Sequence, residues 1–530
     1  MQRMASRYLI ALLSMLVIGC AKRGTITGGL KDTIAPVLNS STPKNYSTGF
    51  NAREIKLVFN EYVKLENINK QLIISPPMKR APDISPLTAS KTITIKINDT
   101  LQPNTTYSFN FGQSIEDNNE GNPYPLFKYV FSTGTYIDSL TLSGVVKDAY
   151  NKKVEPFVSV MLYEANDTFN DSVIYKENPR YVTNTLDSLK TFKLENLKAG
   201  KYLLVAVKDY SSNNKYDPKK DKIGFHKEFV TVPSDTLYEL ELFKEIVAFK
   251  AQKPTMAAGN KLLMAYEGDP KEVQAVLKNG SEIVPSVITQ FPKKDSLYIW
   301  YKPIKADSLA LSVTKGTNAQ DFIIKIKPQK RDTLTITARQ SVLPLRDRFT
   351  LASTRPLATI DESLMRLINK DSTAISFTTE YDELNLELKY EFKREPLQDY
   401  KLTLLPGAII DFFDQRNDTL SFVTNTKNDS DYGNLRVTLQ NVKRFPVILE
   451  IVDAQGETVA TAFSESENIV NFSALEPAVY TLRLIYDDNA NRIWDTGSFL
   501  EKRQSEEVIY FPNDIPVRAN WDVDQPFSLP

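Results

Sequence analysis

Cysteine and histidine are almost missing from this chain of 530 residues, which has one of each. That scarcity excludes zinc sites built from Cys/His clusters, disulfide frameworks, thiol redox work and Cys–His catalysis. Glycine is sparse too, at 19 residues, and no glycine-rich phosphate loop or dinucleotide fingerprint occurs. Neither sign of charge is in excess: Lys+Arg 65 balance Asp+Glu 65. A basic nucleic-acid footprint and an acidic disordered chain are therefore both unexpected. Beyond Cys20 no run is apolar for long enough to cross a bilayer. Core material is ample, with 42% hydrophobic residues and 25 Tyr and 27 Phe against 3 Trp, a make-up suited to strand-rich packing. Length alone suggests roughly three to five domains.

The N-terminus reads as an address. Arg3 and Arg7 precede the uncharged apolar run Tyr8–Ile18, which is too short for a transmembrane helix and has the length of a secretory h-region. The run ends in Val17-Ile18-Gly19-Cys20, which resembles a bacterial lipobox, with cleavage ahead of a lipid-modified Cys20. The expected arrangement is a signal peptide over 1–19, a tether over 20–32 and a body held at the membrane by acyl chains, each buried methylene contributing about 0.8 kcal/mol. Ala21-Lys22-Arg23 lacks the acidic residues that resemble a surface-export signal in Bacteroidota lipoproteins. The expected location is thus the outer membrane facing the periplasm, with the cell surface as the alternative.

After the tether, short runs alternate at period two between Asn/Asp/Pro/Gly clusters. Examples are 55–59, 92–97, 107–111, 384–388 and 401–404. Such spacing predicts half-buried antiparallel strands in tandem β-sandwiches, an all-β chain drawn out as an elongated array. One helix is predicted, over Ile360–Asn369, with Asp361 near its start.

Internal repeats organise the chain. Residues 197–217 and 475–495 align without a gap: Leu197, Tyr202 and Leu204 match Leu475, Tyr480 and Leu482. Asp209, Ser211, Asn213, Tyr216 and Asp217 match Asp487, Asn489, Asn491, Trp494 and Asp495. The runs Phe229–Pro233 and Val508–Pro512 are read as the following strands of the two copies. A weaker repeat places Asp117 and Asp411 in turns after strands. The resulting domains are 33–135, 139–243, a connecting unit 244–338, 339–426 and 427–530.

The segments Gly28–Pro36, Ser41–Asn45 and Phe59–Val63, then Asp117, Gly121-Asn122 and Phe131-Ser132-Thr133-Gly134, make residues 33–135 resemble the bacterial Ig-like domain of S-layer-type and Bacteroidota proteins. Residues 139–243 and 427–530 look like prealbumin-type, carboxypeptidase-regulatory-like sandwiches. The whole resembles the Ig-like-domain lipoproteins of Bacteroidota, although 339–426 lacks the Gly-Asn and the closing Phe-Ser-Thr-Gly. This resemblance implies architecture and compartment, and no catalytic activity.

The duplicated loop is the candidate site. Asp209, Ser211, Asn213 and Asp217, like Asp487, Asn489, Asn491 and Asp495, put oxygens at loop positions 1, 3, 5 and 9, as a calcium-binding EF-hand loop does. The Gly at position 6 and the Glu at position 12 are missing, with Asp221 or Glu501 near enough to substitute. The same residues suit Asx-turns closed on their own backbone, with Tyr216 and Trp494 packed beneath, and this is the favoured reading. No cofactor is expected, with weakly bound calcium as the alternative.

Asp-Ser/Thr-apolar triplets form a second pattern that resembles an O-glycosylation acceptor of Bacteroidota. The hydroxyls are Thr33, Thr100, Ser139, Ser188, Thr236, Ser296, Ser308, Thr333 and Thr419. Turn-to-strand grammar explains the same triplets.

These observations lead to a non-enzymatic, lipid-anchored scaffold or interaction module with envelope protein partners, helping outer-membrane protein assembly or secretion. A glycan-binding surface protein, using Trp300 or Trp521 as a sugar platform, is the alternative. A glycoside hydrolase would need a carboxylate pair facing a cleft. A triad would have to recruit His226, the lone histidine.

Overall fold

The computed structural model describes residues 32–186, 190–292 and 295–530. The lipobox residues Val17, Ile18, Gly19 and Cys20, and the acceptor Ser188, lie outside them. Strands dominate throughout, and the chain forms two compact units divided between Asp138 and Ser139. Among the described residues no helix is long and apolar enough to cross a membrane.

The first unit is one sandwich. Its larger sheet runs Leu38–Thr42, Glu54–Leu65, Ser90–Lys96, Asp83–Ser85, with Ile115–Asp117 also on Glu54–Leu65. The smaller sheet is Ile73–Ser75, Thr106–Asn110 and Lys128–Ser132. Alternation puts Ile55, Leu57, Phe59, Ile93 and Ile95 on the inner face, where they meet Phe109 and Phe131 in one core.

In the second unit, the strands of 139–243 and 427–530 have the same order. In the first repeat Tyr181–Asn184, Ser159–Glu164, Gly200–Lys208 and Lys222–Phe225 pair in sequence across the sheet. Thr458–Ser464, Val447–Val452, Ala478–Tyr486 and Val508–Tyr510 do the same in the second. Each facing sheet has three strands, with one parallel pair: Leu140–Asp148 with Leu237–Leu242, and Gly433–Gln440 with Asp522–Ser528. Corresponding residues even share left-handed backbone, Asn196 with Ala474 and Asn214 with Arg492. The duplication is structural as well as textual.

Its register corrects one pairing. Val508–Tyr510 occupies the place of Lys222–Phe225, because Arg483 faces Tyr510 as Val205 faces Phe225. The counterpart of Val230–Val232 is Ile515–Val517, so the Phe229–Pro233 and Val508–Pro512 runs are not equivalent. The reason is a longer connection in the second repeat, residues 496–507 against 218–221.

Two further expectations fail locally. The predicted helix 360–369 is instead the end of strand Leu357–Ile360, a 3-10 turn over Glu362–Leu364 and strand Met365–Ile368. Asp361 does cap, accepting from the Ser363 N–H at 3.0 Å, but after one turn Met365 and Leu367 alternate inward and pair with Asp399–Leu404. The strand predicted over 384–388 begins only at Glu387, because Asp382 accepts from the backbone and side-chain N–H groups of Asn385 and folds 383–386 into a turn.

Candidate functional site

The first duplicated loop turns its oxygens onto its own backbone. Asp209 Oδ1 accepts from Ser211 N–H at 2.9 Å, and its Oδ2 accepts from Asn213 and Asn214, both at 2.7 Å. Asn213 Oδ1 accepts from Lys215 at 2.9 Å, and Asp217 Oδ1 from Lys219 at 3.0 Å. Ser211 stands exposed at the loop's outer edge. The second loop repeats this. Asp487 accepts from Asn491 at 3.1 Å and from Arg492 at 2.8 Å, Asn491 from Ile493 at 2.9 Å, and the amides of Asn489 and Asn491 donate to Asp495.

A buried carboxylate closes each loop. Asp221 accepts from the N–H groups of Tyr210 (3.0 Å) and Asp217 (2.8 Å), and Glu506 accepts from Asp488 (2.8 Å) and Asp495 (2.9 Å). Burial raises the pKa of both carboxyls, more than these backbone hydrogen bonds lower it. Glu501, the sequence's candidate for this post, pairs instead with Arg503 at the surface. Among the described residues no group of three or more His, Cys, Asp or Glu side chains is placed to hold a metal ion.

The loops matter for what they carry. Trp494, beneath the second loop, packs tilted against Tyr150 of the first repeat, with ring centres 4.7 Å apart. Beneath the first loop, the Tyr216 hydroxyl donates to Glu245 at 2.6 Å, and the other oxygen of Glu245 accepts from Phe499 N–H at 2.6 Å. The long connection 496–507 thus lies against the first repeat. Phe499 meets Phe225 edge-on at 5.2 Å, Lys502 pairs with Asp171 at 2.5 Å, and Gln504 donates to the Phe225 carbonyl at 2.8 Å. A Cβ on Gly497 would run into the Phe243 ring.

At the centre is Arg483, 1% exposed. Its Nε donates to Glu450 at 2.6 Å, Nη1 to the Tyr510 hydroxyl at 3.1 Å, and Nη2 to the Tyr150 hydroxyl at 2.5 Å and to Thr458 at 3.1 Å. The Tyr510 hydroxyl donates to the Tyr150 carbonyl at 2.7 Å. A buried guanidinium needs this full set of acceptors. Sequence reading missed this contact. Its signal is the Arg in the middle of the apolar strand Ala478–Tyr486, where the first repeat has Val205.

Both repeated turn carboxylates accept backbone N–H groups of their own turns. Asp117, 2% exposed, accepts from Asn119, Glu120, Gly121 and Asn122 N–H groups. Burial alone would raise its pKa, and the four donors together hold it below the usual value. Asp411, fully buried, accepts from Phe413 at 2.9 Å, Gln415 at 2.8 Å and Arg355 at 2.7 Å.

Of the proposed glycan acceptors, Thr33, Thr100, Ser139, Thr236, Ser308, Thr333 and Thr419 are exposed. Ser296 is a correction: it starts strand Ser296–Tyr301, pairs with Ala265 and is buried, so the folded chain cannot present it. Trp300 is a second correction. It is buried, with its N–H donating to Thr289 at 2.9 Å, and offers no platform, whereas Trp521 is exposed. His226 Nδ1 lies 2.8 Å from the Glu228 carbonyl oxygen, and the ring sits edge-on to Tyr238.

Fold and contacts define a tandem β-sandwich protein. Residues 32–133 match the family model of the bacterial Ig-like domain. No curated protein matches the chain. Similar solved structures include the S-layer protein rSbsC, 12% identical with a TM-score of 0.17, covering 91% of this chain and 67% of that one. BcpA, the major pilin subunit of Bacillus cereus, is 10% identical at TM-score 0.15, covering 74% of this chain and 99% of its own. The Bacillus anthracis TIE protein is 12% identical at TM-score 0.14, covering 94% and 75%.

Proposed function

We propose that this chain is a lipid-anchored envelope scaffold, held at Cys20 to the outer membrane on the periplasmic side, that binds protein partners and catalyses no reaction. The observation that carries this reading is the position of the chain's one cysteine, at the end of an uncharged apolar run. The braced pair of repeats supports it: the duplicated loops, the best candidate site in the sequence, spend their oxygens on their own backbone and their aromatics on the contact between sandwiches. Such a construction suits holding partners, and a role in outer-membrane protein assembly or secretion fits the location. Exposed Trp521 favours a second reading, glycan binding, which an oligosaccharide array comparing the protein with Trp521→Ala tests.

The decisive experiment has two arms. Fractionation of cells expressing Cys20→Ala should move the protein out of the membrane fraction. Crosslinking of the native protein in cells should capture specific envelope proteins. Retention of Cys20→Ala in the outer membrane would sink the anchor, and the absence of any specific crosslinked partner would sink the scaffold.

A further inference from the structure

Four of the first unit's exposed large apolar side chains lie at one end. Ile34, Val37, Tyr62 and Leu87 are 70, 51, 56 and 68% exposed. The backbone brings them together from three segments. The Val37 carbonyl accepts from Asn60 N–H at 3.0 Å, and its N–H donates to Asn60 Oδ1 at 2.7 Å. Tyr62 follows on the same strand, beside Val63, which faces Ser90. Leu87 sits on the tip of the hairpin joining Asp83–Ser85 to Ser90–Lys96. Lys91, from that hairpin, donates to the Asn60 carbonyl at 3.1 Å and lies 5.6 Å from the Tyr62 ring centre.

This is also the end at which the chain enters the unit. The Asn122 amide, in the loop closed by Asp117, donates to the carbonyls of Asp32 at 3.0 Å and Ile34 at 3.4 Å. The chain leaves elsewhere, at the opposite end of Glu54–Leu65, where Ser132 and Gly134 carbonyls accept from Phe50 and Gly49. From Cys20 to Asp32 there are about 12 residues, whose fully extended reach is at most about 40 Å. A chain acylated at Cys20 therefore keeps this end within about 40 Å of the lipid.

We infer that the end of the Ig-like domain bearing Ile34, Val37, Tyr62 and Leu87 rests in the bilayer interface. The inference rests on the anchor reading. Apolar side chains there leave water, and Tyr62, with its ring apolar and its hydroxyl polar, suits the headgroup level. Lys91 beside it supplies a cation for lipid phosphates. The anchor fixes position along the membrane normal, and the tip fixes how the domain stands on it.

The test uses the full acylated protein in phosphatidylethanolamine–phosphatidylglycerol vesicles. Because Cys20 is the one native thiol and carries lipid, a new cysteine can be labelled alone with an environment-sensitive fluorophore. At Leu87→Cys the emission should shift to the blue and lose most of its quenching by dithionite. At Tyr136→Cys, an exposed position beyond the chain's exit, emission and quenching should match those in buffer. Tyr62→Glu in the Leu87→Cys background should restore quenching. Equal quenching at 87 and 136 in protein that is acylated by mass and floats with the vesicles overturns the tip and leaves the anchor standing. Protein that is not acylated and does not float overturns both.

Discussion

The Arg483 guanidinium lies 3.9 Å from the centre of the Tyr150 ring and donates to the hydroxyl of the same residue at 2.5 Å. The two belong to different repeats, 333 positions apart in sequence. Removing one partner of a buried charged network leaves the other uncompensated. Arg483→Ala should cost about 3 kcal/mol, read by urea unfolding followed through tryptophan emission. The double-mutant cycle of Tyr150→Ala with Arg483→Met should return a coupling of about 1 kcal/mol. Strict additivity would mean that the two residues are neighbours without being partners.

Gly497 tests the long connection independently. A side chain there meets the Phe243 ring and the Arg503 carbonyl. Gly497→Val should loosen the contact between repeats without melting either, and hydrogen exchange should speed up over 496–507 and 171–176 while the strands of both cores stay protected. Unchanged exchange over 496–507 would contradict the packing described.

The duplicated loops should be indifferent to calcium. Both oxygens of Asp209 are occupied by backbone N–H groups, so saturating calcium should leave the melting profile where a chelator leaves it. Asp209→Ala should instead lower stability by about 2 kcal/mol in either condition, by orphaning the Ser211, Asn213 and Asn214 N–H groups. A calcium-dependent rise in melting temperature that is absent in Asp209→Ala would establish the metal reading instead.

Asp117 gives the first unit an acid limit. Its folded pKa is held below the unfolded value, so the stability it contributes is complete above about pH 4 and is lost as pH falls through the folded pKa. Asp117→Asn should cost about 2 kcal/mol at neutral pH and flatten that acid dependence. Equal acid sensitivity in the variant would assign the dependence to other carboxylates.

Much of the architecture can be read from local pattern. Period-two alternation marks the inner faces around Ile55, Ile93 and Phe109, and the Asp/Asn spacing marks the duplication. The turn at 383–386 and the strand at 365–368 escape the pattern because four residues carry too little periodicity to separate strand, turn and short helix. Partners across the repeats were illegible for a different reason. No local rule links Tyr150 to Arg483, and a gapless alignment stops where the second repeat lengthens. Two local oddities nonetheless carried the information: a cation where Val205 stands in the first repeat, and the extra chain at 496–507. Neither looks like a binding motif, whereas the Asp/Asn spacing does.

The bracing between the repeats has a mechanical corollary. Residues 244–426 leave from one member of the pair and return to the other, so a pull between Ser139 and Pro530 passes directly across Arg483 and Phe499. The intervening residues are shunted out of the line of tension, and they stretch only after the contacts between the repeats have let go.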